Sequence, residues 1–292
     1  MGTCCGSNRQ GKSQSIFCID TDGKSIIEYN IHKDNFDIHS LKVQVPAMAK
    51  YCEIMPNKIL IAGGFKRLKN RFGEPVNDVY LFDKEHGLCN KSSLDQPRTG
   101  HCLIAVAGVA YMISGVISHI LPTKECQRYN IISDAWETIS PLSKPRILAA
   151  GCFFGQSIYI TGGNPGNTLQ NYRDIEVYSI FSNTWKILDI KLPMDIWRHA
   201  CLPHKNGIII FGGNGNRSHN LDCFKIDLVN NIIVQLTWLS QGGEFQGCNF
   251  GEGENVYAFE TVSARTVSIF SQGKWTSKVR NIKQELIEQI TL

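Results

Sequence analysis

Four short apolar runs in this chain of 292 residues end on glycine and recur at a nearly constant interval. They read ILIAGG, YMISG, SIYITGG and IIIFGG, and they end at Gly64, Gly115, Gly163 and Gly213. The steps between these glycines are 51, 48 and 50 residues. A fixed period of this length is the signature of a repeat architecture, so the chain is expected to use one structural unit several times.

Each period contains four runs with strand character. The first run is small and apolar, the second ends on glycine, the third carries a tyrosine or phenylalanine, and the fourth often carries a tryptophan. Turns rich in Gly, Asn, Asp and Pro separate the runs. Short, evenly spaced strands with such turns predict an all-β fold built of four-stranded antiparallel units.

Two kinds of residue recur at fixed places in this unit. Three aromatic pairs share a spacing of seven residues: Tyr29 to Phe36, Tyr129 to Trp136 and Tyr178 to Trp185. Large rings on neighbouring strands bury apolar area, which lets one thin sheet stack on the next. Glycines at strand ends permit positive φ and place no Cβ against the adjacent unit. Both features predict sheets that pack face to face.

Taken together, these features resemble the kelch-repeat β-propeller family. The resemblance covers about residues 15 to 280. It is carried by the double glycines at 63–64, 162–163 and 212–213, the Tyr-to-Trp pairs, and arginines ahead of the first strands, Arg98, Arg146 and Arg198. Ser114 departs from the pattern, and the second-strand runs at 16–20 and 257–260 lack glycine pairs. Counting those two runs, the resemblance implies a six-bladed kelch-type propeller of four-stranded antiparallel blades.

The chain is predicted to consist of a flexible tail at 1–14 and one propeller domain at 15–292. The polar tail does not suit an innermost strand, so the first blade lacks one. Sixteen residues separate fourth-strand aromatics from the next first-strand cysteine, and the same step from Trp275 reaches Thr291. We therefore predict that residues 286–292 form the innermost strand of the first blade and close the ring. The alternative is an amphipathic helix with apolar residues at 282, 286 and 290.

The bulk composition excludes several classes of protein. With 30 basic and 26 acidic residues, the net charge of +4 does not indicate a nucleic-acid partner. No stretch of about 18 apolar residues indicates a membrane span, and the first residues lack the apolar core of a signal peptide. A cytoplasmic location is therefore expected. The 11 cysteines are odd in number and contain no C-x-x-C pair, which indicates reduced thiols.

Five cysteines recur at steps of 50, 50, 49 and 47 residues: Cys52, Cys102, Cys152, Cys201 and Cys248. This spacing predicts one shared position on the first strand of each unit. In a propeller that strand lies nearest the central channel, where a small apolar side chain fits. The alternative is a ring of thiols that binds a soft metal. We favour packing and predict no metal and no cofactor, because repeat-related positions are spread around a ring.

No catalytic motif is present, and the eight histidines are scattered. The chain is therefore predicted not to be an enzyme. Some kelch propellers are enzymes, so the resemblance keeps one alternative open, a sialate epimerase acting on a sugar acid from the central funnel. Arg98, Arg146, Arg198 and Glu53 are the candidate residues for that activity.

The favoured function is a protein-interaction scaffold. In kelch proteins the loops that join strands two to three and four to one share a face, and loops on a rigid scaffold commonly carry function. The predicted partner-binding residues are Lys66, Arg67, Lys69, Arg71, His119, Arg173, Arg217 and His219. Arginine forks bind carboxylates bidentately, so an acidic peptide or protein surface is the expected ligand. The alternative is a solvated rim without a partner.

The first residues, MGTCCGS, resemble a dual acylation signal. Gly2 is the candidate for myristoylation, and Cys4 and Cys5 are the candidates for palmitoylation. The usual Ser or Thr is replaced by Gly6, with Ser7 one place late. Two acyl chains would attach the propeller to a ciliary or plasma membrane, whereas the alternative is a plain flexible tail.

Overall fold

The chain forms a ring of six β-sheets. The computed structural model describes residues 5–6, 15–69, 72–118, 121–166, 171–215, 220–239, 245–250, 255–260 and 266–279. Within these ranges the secondary structure consists of strands and contains no helix, and therefore no helix that could cross a membrane. The six sheets follow one another along the chain, and we call them blades 1 to 6.

Blade 1 has three described strands and each of the other blades is a four-stranded antiparallel sheet. The strands of blades 1 to 3 are Ser15–Ile19, Ser25–Asn30, Asn35–Ser40; Lys50–Met55, Lys58–Ala62, Val79–Asp83, Gly87–Asn90; and Cys102–Val106, Val109–Ile113, Cys126–Asn130, Ala135–Ile139. The strands of blades 4 to 6 are Ala150–Phe154, Ser157–Thr161, Asp174–Ser179, Thr184–Lys191; Ala200–His204, Gly207–Phe211, Cys223–Asp227, Ile232–Gln235; and Phe245–Phe250, Asn255–Glu260, Thr266–Ser271, Lys274–Val279.

Three smaller pieces of strand accompany the blades. Phe65–Arg67 pairs with Phe72–Pro75, and Val116–Ser118 pairs with Leu121–Pro122, so that blades 2 and 3 each extend a short hairpin between their second and third strands. Cys5–Gly6 runs parallel to the first strand of blade 3. Cys5–Gly6, the described part of the tail, therefore pairs with the first strand of that blade.

The hydrophobic core lies between neighbouring blades. The second strand of blade 5, Gly207–Phe211, is buried along its whole length because both of its faces are covered. Blade 1 packs against blade 6 through Ile16 and Phe259, and the rings of Phe36 and Phe259 lie 6.3 Å apart. The ring is therefore closed by sheet packing, and the predicted six-bladed propeller is confirmed. The predicted closing strand at 286–292, with its helical alternative, lies outside the described residues.

The aromatic pairs lie opposite each other as the spacing predicts. Ring centroids are separated by 5.0 Å for Tyr29 and Phe36, 5.1 Å for Tyr129 and Trp136, and 4.9 Å for Tyr178 and Trp185. Each tyrosine hydroxyl also donates to a turn residue five positions on that has positive φ: Asp34, Asp134 and Asn183. One ring thus fixes both the hairpin and its turn.

The two tryptophans join neighbouring blades. Trp136 Nε1 donates to the carbonyl of Ser92 at 2.9 Å, and Trp185 Nε1 donates to the carbonyl of Ser140 at 2.7 Å. Both acceptors lie on the connection that leaves the preceding blade. The indoles are only partly buried, so their role combines packing with a hydrogen bond between blades.

The glycine pairs have the conformation and the close contacts that the sequence indicates. Gly63 has φ of 62°, and a Cβ there would lie 2.2 Å from the carbonyl oxygen of Arg98. At Gly162, with φ of 59°, the same atom would lie 2.3 Å from the carbonyl oxygen of Ile196. Both carbonyls lie in the connection to the next blade. Only glycine avoids this collision and also tolerates the left-handed backbone.

The equal spacing of the cysteines does not give them one position in the sheet. Cys52 and Cys152 each pair with the residue three positions before the first glycine of their own blade's glycine pair. Cys201 pairs with the residue two positions before the first glycine of its pair, and Cys102 pairs with the residue directly before Ser114. All four are buried, and the Sγ atoms of Cys152 and Cys201 lie 3.5 Å apart. All five cysteines thus lie on the first strands of blades 2 to 6, as predicted, but the single register is wrong, because loop and bulge lengths vary between blades. In the described part of the chain, no group of three or more potential ligands is placed to hold a metal.

Candidate functional site

The strand two-to-three and four-to-one connections lie at the same end of every antiparallel blade. We call this end the loop face. Its described parts are the connections within 41–49, 63–69, 72–78, 91–101, 114–118, 121–125, 140–149, 162–166, 171–173, 192–199, 212–215, 220–222 and 236–239. The candidate site is built on these connections, because the sheets below them hold their ends in place.

Arg98 fixes the ends of one of these loops. Its guanidinium is buried, and Nη1 donates to the carbonyls of Ser114 and Glu125, both at 3.0 Å. Its own carbonyl accepts a hydrogen bond from the amide of Gly64 in blade 2 at 2.8 Å. Arg98 therefore joins blades 2 and 3 and holds the two ends of the blade 3 loop together.

Arg146 has the same role one blade later, with ionic partners added. Its guanidinium Nη1 donates to the carbonyl of Gly162 at 2.8 Å, and Nε donates to a carboxylate oxygen of Glu176 at 3.0 Å. Nη2 lies 3.0 Å from an oxygen of Asp174. The side chains of Arg146 and Glu176 are both fully buried. A buried charge pair of this kind holds only because each partner neutralises the other.

Arg198 is not equivalent to the other two arginines, although it also precedes a first strand. The carbonyl that accepts from the glycine pair belongs to Arg98 in one blade and to Ile196 in the blade 4 to 5 connection. Arg198 lies two residues later and has positive φ of 56°, like Leu148 in the preceding connection. The sequence grouping of three equivalent arginines is therefore wrong at this position.

These placements bear on the residues considered for a sugar-acid site. Arg98 and Arg146 are buried and bonded within the chain, so their guanidinium groups do not line a funnel open to solvent. Glu53 accepts a hydrogen bond from the amide of Asn57 at 2.9 Å, in the turn at the end opposite the loop face. The described geometry does not bring Glu53 together with the two arginines.

Three predicted partner-binding residues lie on the blade 2 hairpin. Lys66 and Lys69 are exposed, whereas Arg67 is partly buried. The guanidinium of Arg67 donates to the carbonyls of Val45 and Thr21, both at 2.9 Å, and so connects the hairpin to blade 1. The two lysines are therefore the side chains of this group that face solvent.

Arg173 is the fourth predicted residue that the structure describes. It lies two blades away from the lysines, directly before the third strand of blade 4. Its side chain is exposed, and Nε donates to the carbonyl of Leu192 at 2.7 Å, while neither terminal nitrogen has a hydrogen-bond partner among the described residues. The other predicted residues, Arg71, His119, Arg217 and His219, lie outside the described residues.

Arg173 lines a cavity on the loop face of blade 4, with a volume of about 810 Å³. We call this cavity the blade 4 pocket. The residues that line it are Lys144, Pro165, Asn171, Tyr172, Arg173, Asp174, Ile187, Lys191 and Asp195. A pocket of this size falls in the range of sites that bind small molecules or peptide side chains.

The floor of the blade 4 pocket is neutralised within the chain. Lys144 Nζ lies 2.6 Å from an oxygen of Asp174 and 4.1 Å from the ring centroid of Tyr172. Burial raises the pKa of Asp174, but the hydrogen bond from Lys144 and the charge of Arg146 lower it by more, so that Asp174 is anionic. Two cations and two anions therefore compensate each other here, with Glu176 as the second anion.

The rim of the pocket keeps a positive excess. Among the described residues, neither Arg173 nor Lys191 has an ion-pair partner within 4 Å, while Asp195 supplies one opposing charge. The rim therefore presents two cations and one anion. Such a rim can receive a carboxylate, with the Arg173 fork as the directional donor and Lys191 as a second point charge.

Sequence reasoning did not include Lys144, Tyr172, Lys191 or Asp195 in the site. Lys191 lies opposite Asp174 only because the pairing shifts by a bulge between Asp174 and Glu176. Counting back from the Tyr178 to Trp185 pair without the bulge would place another residue there. The sequence feature that could have indicated this pocket is NYRD, in which an aromatic ring, a guanidinium group and a carboxylate follow one another.

The acylation candidates are mostly not described. Gly2 and Cys4 lie outside the described residues, and only the backbone of Cys5 is placed, opposite Ala105 on the innermost strand of blade 3. Dual acylation therefore stays a prediction.

Comparison with known proteins finds similarity to proteins named for kelch repeats, although no family model matches the chain. Human Kelch-like protein 4 is 36% identical over 87 residues, which are 29% of this chain and 11% of that protein. Kelch domain-containing protein 10 of Xenopus tropicalis is 25% identical over 174 residues, 54% of this chain and 42% of that protein. Kelch-like protein 26 of Danio rerio is 25% identical over 211 residues, 68% of this chain and 31% of that protein. The chain thus matches less than half the length of each of these curated relatives.

The fold also matches solved structures. The structure of YjhT superposes with a TM-score of 0.72 over 94% of this chain and 99% of that one, at 12% sequence identity. At this identity the likeness shows the fold alone. With six blades, glycine pairs and Tyr-to-Trp hairpins, the chain is a six-bladed β-propeller of the kelch type, and it is similar in sequence to these kelch-named proteins.

Proposed function

We propose that the chain is a cytoplasmic, non-enzymatic protein-interaction scaffold that binds an acidic segment of a partner protein on its loop face. The observation that carries this proposal is the blade 4 pocket, whose rim holds Arg173 and Lys191 without ion-pair partners among the described residues. A carboxylate seated there would gain bidentate hydrogen bonds from Arg173. The similarity to kelch-named proteins supports the same class of function.

The exposed lysines of the blade 2 hairpin provide a second positive contact. Lys66 and Lys69 lie on the same face as the blade 4 pocket but two blades away. An extended acidic segment, or an acidic protein surface, can reach both places at once, whereas a single sugar acid can occupy only one. The proposal therefore favours a macromolecular ligand.

The test compares affinity-purified complexes of the full chain and of two double variants, analysed by mass spectrometry. Arg173→Ala/Lys191→Ala removes the cations of the rim. Lys33→Ala/Lys274→Ala removes the same charge from exposed positions in or directly after turns at the opposite end of the propeller and serves as the matched control. We expect the rim variant to lose partners that the control retains. An identical set of partners in both variants would contradict the proposal.

A second measurement addresses the enzymatic alternative directly. The purified chain is incubated with free sialic acid, and the two anomers are followed by NMR. We expect the anomers to interconvert at the spontaneous rate. Catalysed interconversion that is lost in the rim variant would replace the scaffold proposal with a sugar-acid epimerase.

A further inference from the structure

The outer strand of blade 5 differs from its counterparts in the other blades. Ile232–Gln235 carries no charged residue. Four of the other five outer strands carry at least one charge each, at Asp37, Glu137, Lys186 and Lys278 among others. The fifth, Gly87–Asn90 of blade 2, also carries no charge, but it exposes Cys89 and Asn90 and no large apolar side chain, so that blade 5 alone among the described outer strands combines absent charge with exposed apolar residues. Charged side chains on edge strands normally prevent pairing with another chain, and blade 5 lacks this protection.

This strand also exposes large apolar side chains to solvent. Ile232 is 49% exposed and Val234 is 42% exposed. Trp238, further along the same extended run, is 67% exposed. Within the strand, Ile232 and Val234 lie on one side and Ile233 packs against the core on the other, and beyond the strand Leu236 also packs against the core. The result is an apolar strip beside a row of backbone N–H and C=O groups at the edge of a sheet.

The apolar strip continues into a cavity between blades 5 and 6, with a volume of about 380 Å³. Leu236 forms one wall of this cavity and Phe270 of blade 6 forms another. Thr237 Oγ1 donates to the carbonyl of Gly273 at 2.7 Å and so holds the run against blade 6. The cavity therefore lies next to the end of the edge strand, between Leu236 and blade 6.

The mouth of this cavity is positively charged. Lys205 and Lys225 both line it. Lys225 donates to the side chain of Asn206 and lies 3.9 Å from Asp227, so its charge is partly compensated. Lys205 is exposed and forms no ion pair with any residue in the described ranges. An acidic residue of a ligand would therefore complement Lys205.

From the edge, the apolar strip, the cavity and the charge, we propose that blade 5 binds an extended segment of a partner protein by strand addition. The segment pairs with Ile232–Gln235, packs alternate apolar side chains on the strip, and presents an acidic residue to Lys205. This surface includes the cavity, whose residues Lys205 and Gly273 lie in turns at the end opposite the loop face. It does not depend on the proposed function of the blade 4 pocket, and either can fail without the other.

The test selects random twelve-residue peptides displayed on phage against the full wild-type chain and removes those that also bind Val234→Lys. Val234→Lys puts a charge on the exposed strip. The matched control is Ile132→Lys, which makes the same kind of change at an apolar residue that is 93% exposed in a turn of blade 3. Selected peptides are synthesised, and their dissociation constants are measured by fluorescence polarisation.

We expect the selected peptides to have alternating apolar residues and an acidic residue. They should bind the Val234→Lys variant at least tenfold more weakly than wild type, and they should bind the Ile132→Lys variant with an affinity within twofold of wild type. Lys205→Glu should weaken acidic peptides and favour their lysine-substituted versions. Hydrogen exchange should show slower exchange at residues 232–235 when peptide is bound, which supports strand pairing independently of any variant. The proposal is overturned if no selected peptide distinguishes wild type from Val234→Lys. It is overturned equally if sedimentation shows wild-type dimers that Val234→Lys abolishes, because a second copy of the chain then occupies the strip.

Discussion

Replacing Arg146 with methionine tests whether the buried arginines hold the propeller together. Methionine keeps much of the side-chain volume but removes the charge that neutralises Glu176, whose carboxylate is fully buried. Breaking a buried ion pair by removing one partner costs about 3 to 5 kcal/mol. Glu176 also accepts a hydrogen bond from the amide of Ser143 at 3.0 Å, which remains. We therefore expect the low end of that range, a free energy of unfolding reduced by about 3 kcal/mol.

At about 2 °C per kcal/mol for a chain of this size, the melting temperature should fall by roughly 6 °C. Circular dichroism melts of Arg146→Met are compared with those of Arg173→Met, the same change at an exposed arginine, which should stay within about 1 °C of wild type. The double variant Arg146→Met/Glu176→Gln should recover part of the loss, because it leaves no buried charge unpaired. If Arg146→Met melts like Arg173→Met, the buried pair does not hold the blades together and the reasoning is refuted.

Three further changes test other parts of the structure. Gly162→Ala should lower the free energy of unfolding, measured by chemical denaturation, by more than about 2 kcal/mol, because the new Cβ would collide with a carbonyl oxygen. The control Gly155→Ala should show a smaller loss, because Gly155 has a similar φ but open space around it. Burial lowers the pKa of His199 to about 3, so below pH 6.5 the unfolded chain binds a proton that the folded chain does not. The free energy of unfolding of the wild-type chain should therefore decrease, through this residue, by about 1 kcal/mol for each unit by which the pH is lowered from 6 to 4. Urea titrations at each pH should give a shallower dependence on pH for His199→Gln. The intact mass of the native protein should carry acyl increments, and Gly2→Ala should leave the membrane fraction; an unmodified mass would remove the acylation hypothesis.

The strand repeat and the blade count could be predicted because their causes are local. A Tyr-to-Trp spacing of seven residues contains one hairpin with a turn of fixed length, so Tyr178 and Trp185 must lie opposite each other. The glycine pairs at 63–64 and 162–163 are likewise required by contacts with the backbone of the connection to the next blade. Such features depend on a few neighbouring residues and are visible in the sequence.

The errors come from spacings that cross several turns. The interval from one cysteine to the next includes loops of different length and bulges such as the one between Glu53 and Met55, so equal spacing hides different registers. The same limitation made Arg198 look equivalent to Arg146. The blade 4 pocket could not be assembled from the sequence, because it depends on a bulge that brings Lys191 opposite Asp174.

The proposed partner-binding face can be tested by hydrogen exchange with mass spectrometry on the chain, alone and in complex with a co-purified partner. If an acidic partner seats on the loop face, protection should appear in the described connections around Lys66, Asn164 and Arg173. The turns at the opposite end, such as residues 131–134 and 180–183, should exchange as in the free chain. Protection confined to those opposite turns would contradict the proposed binding face.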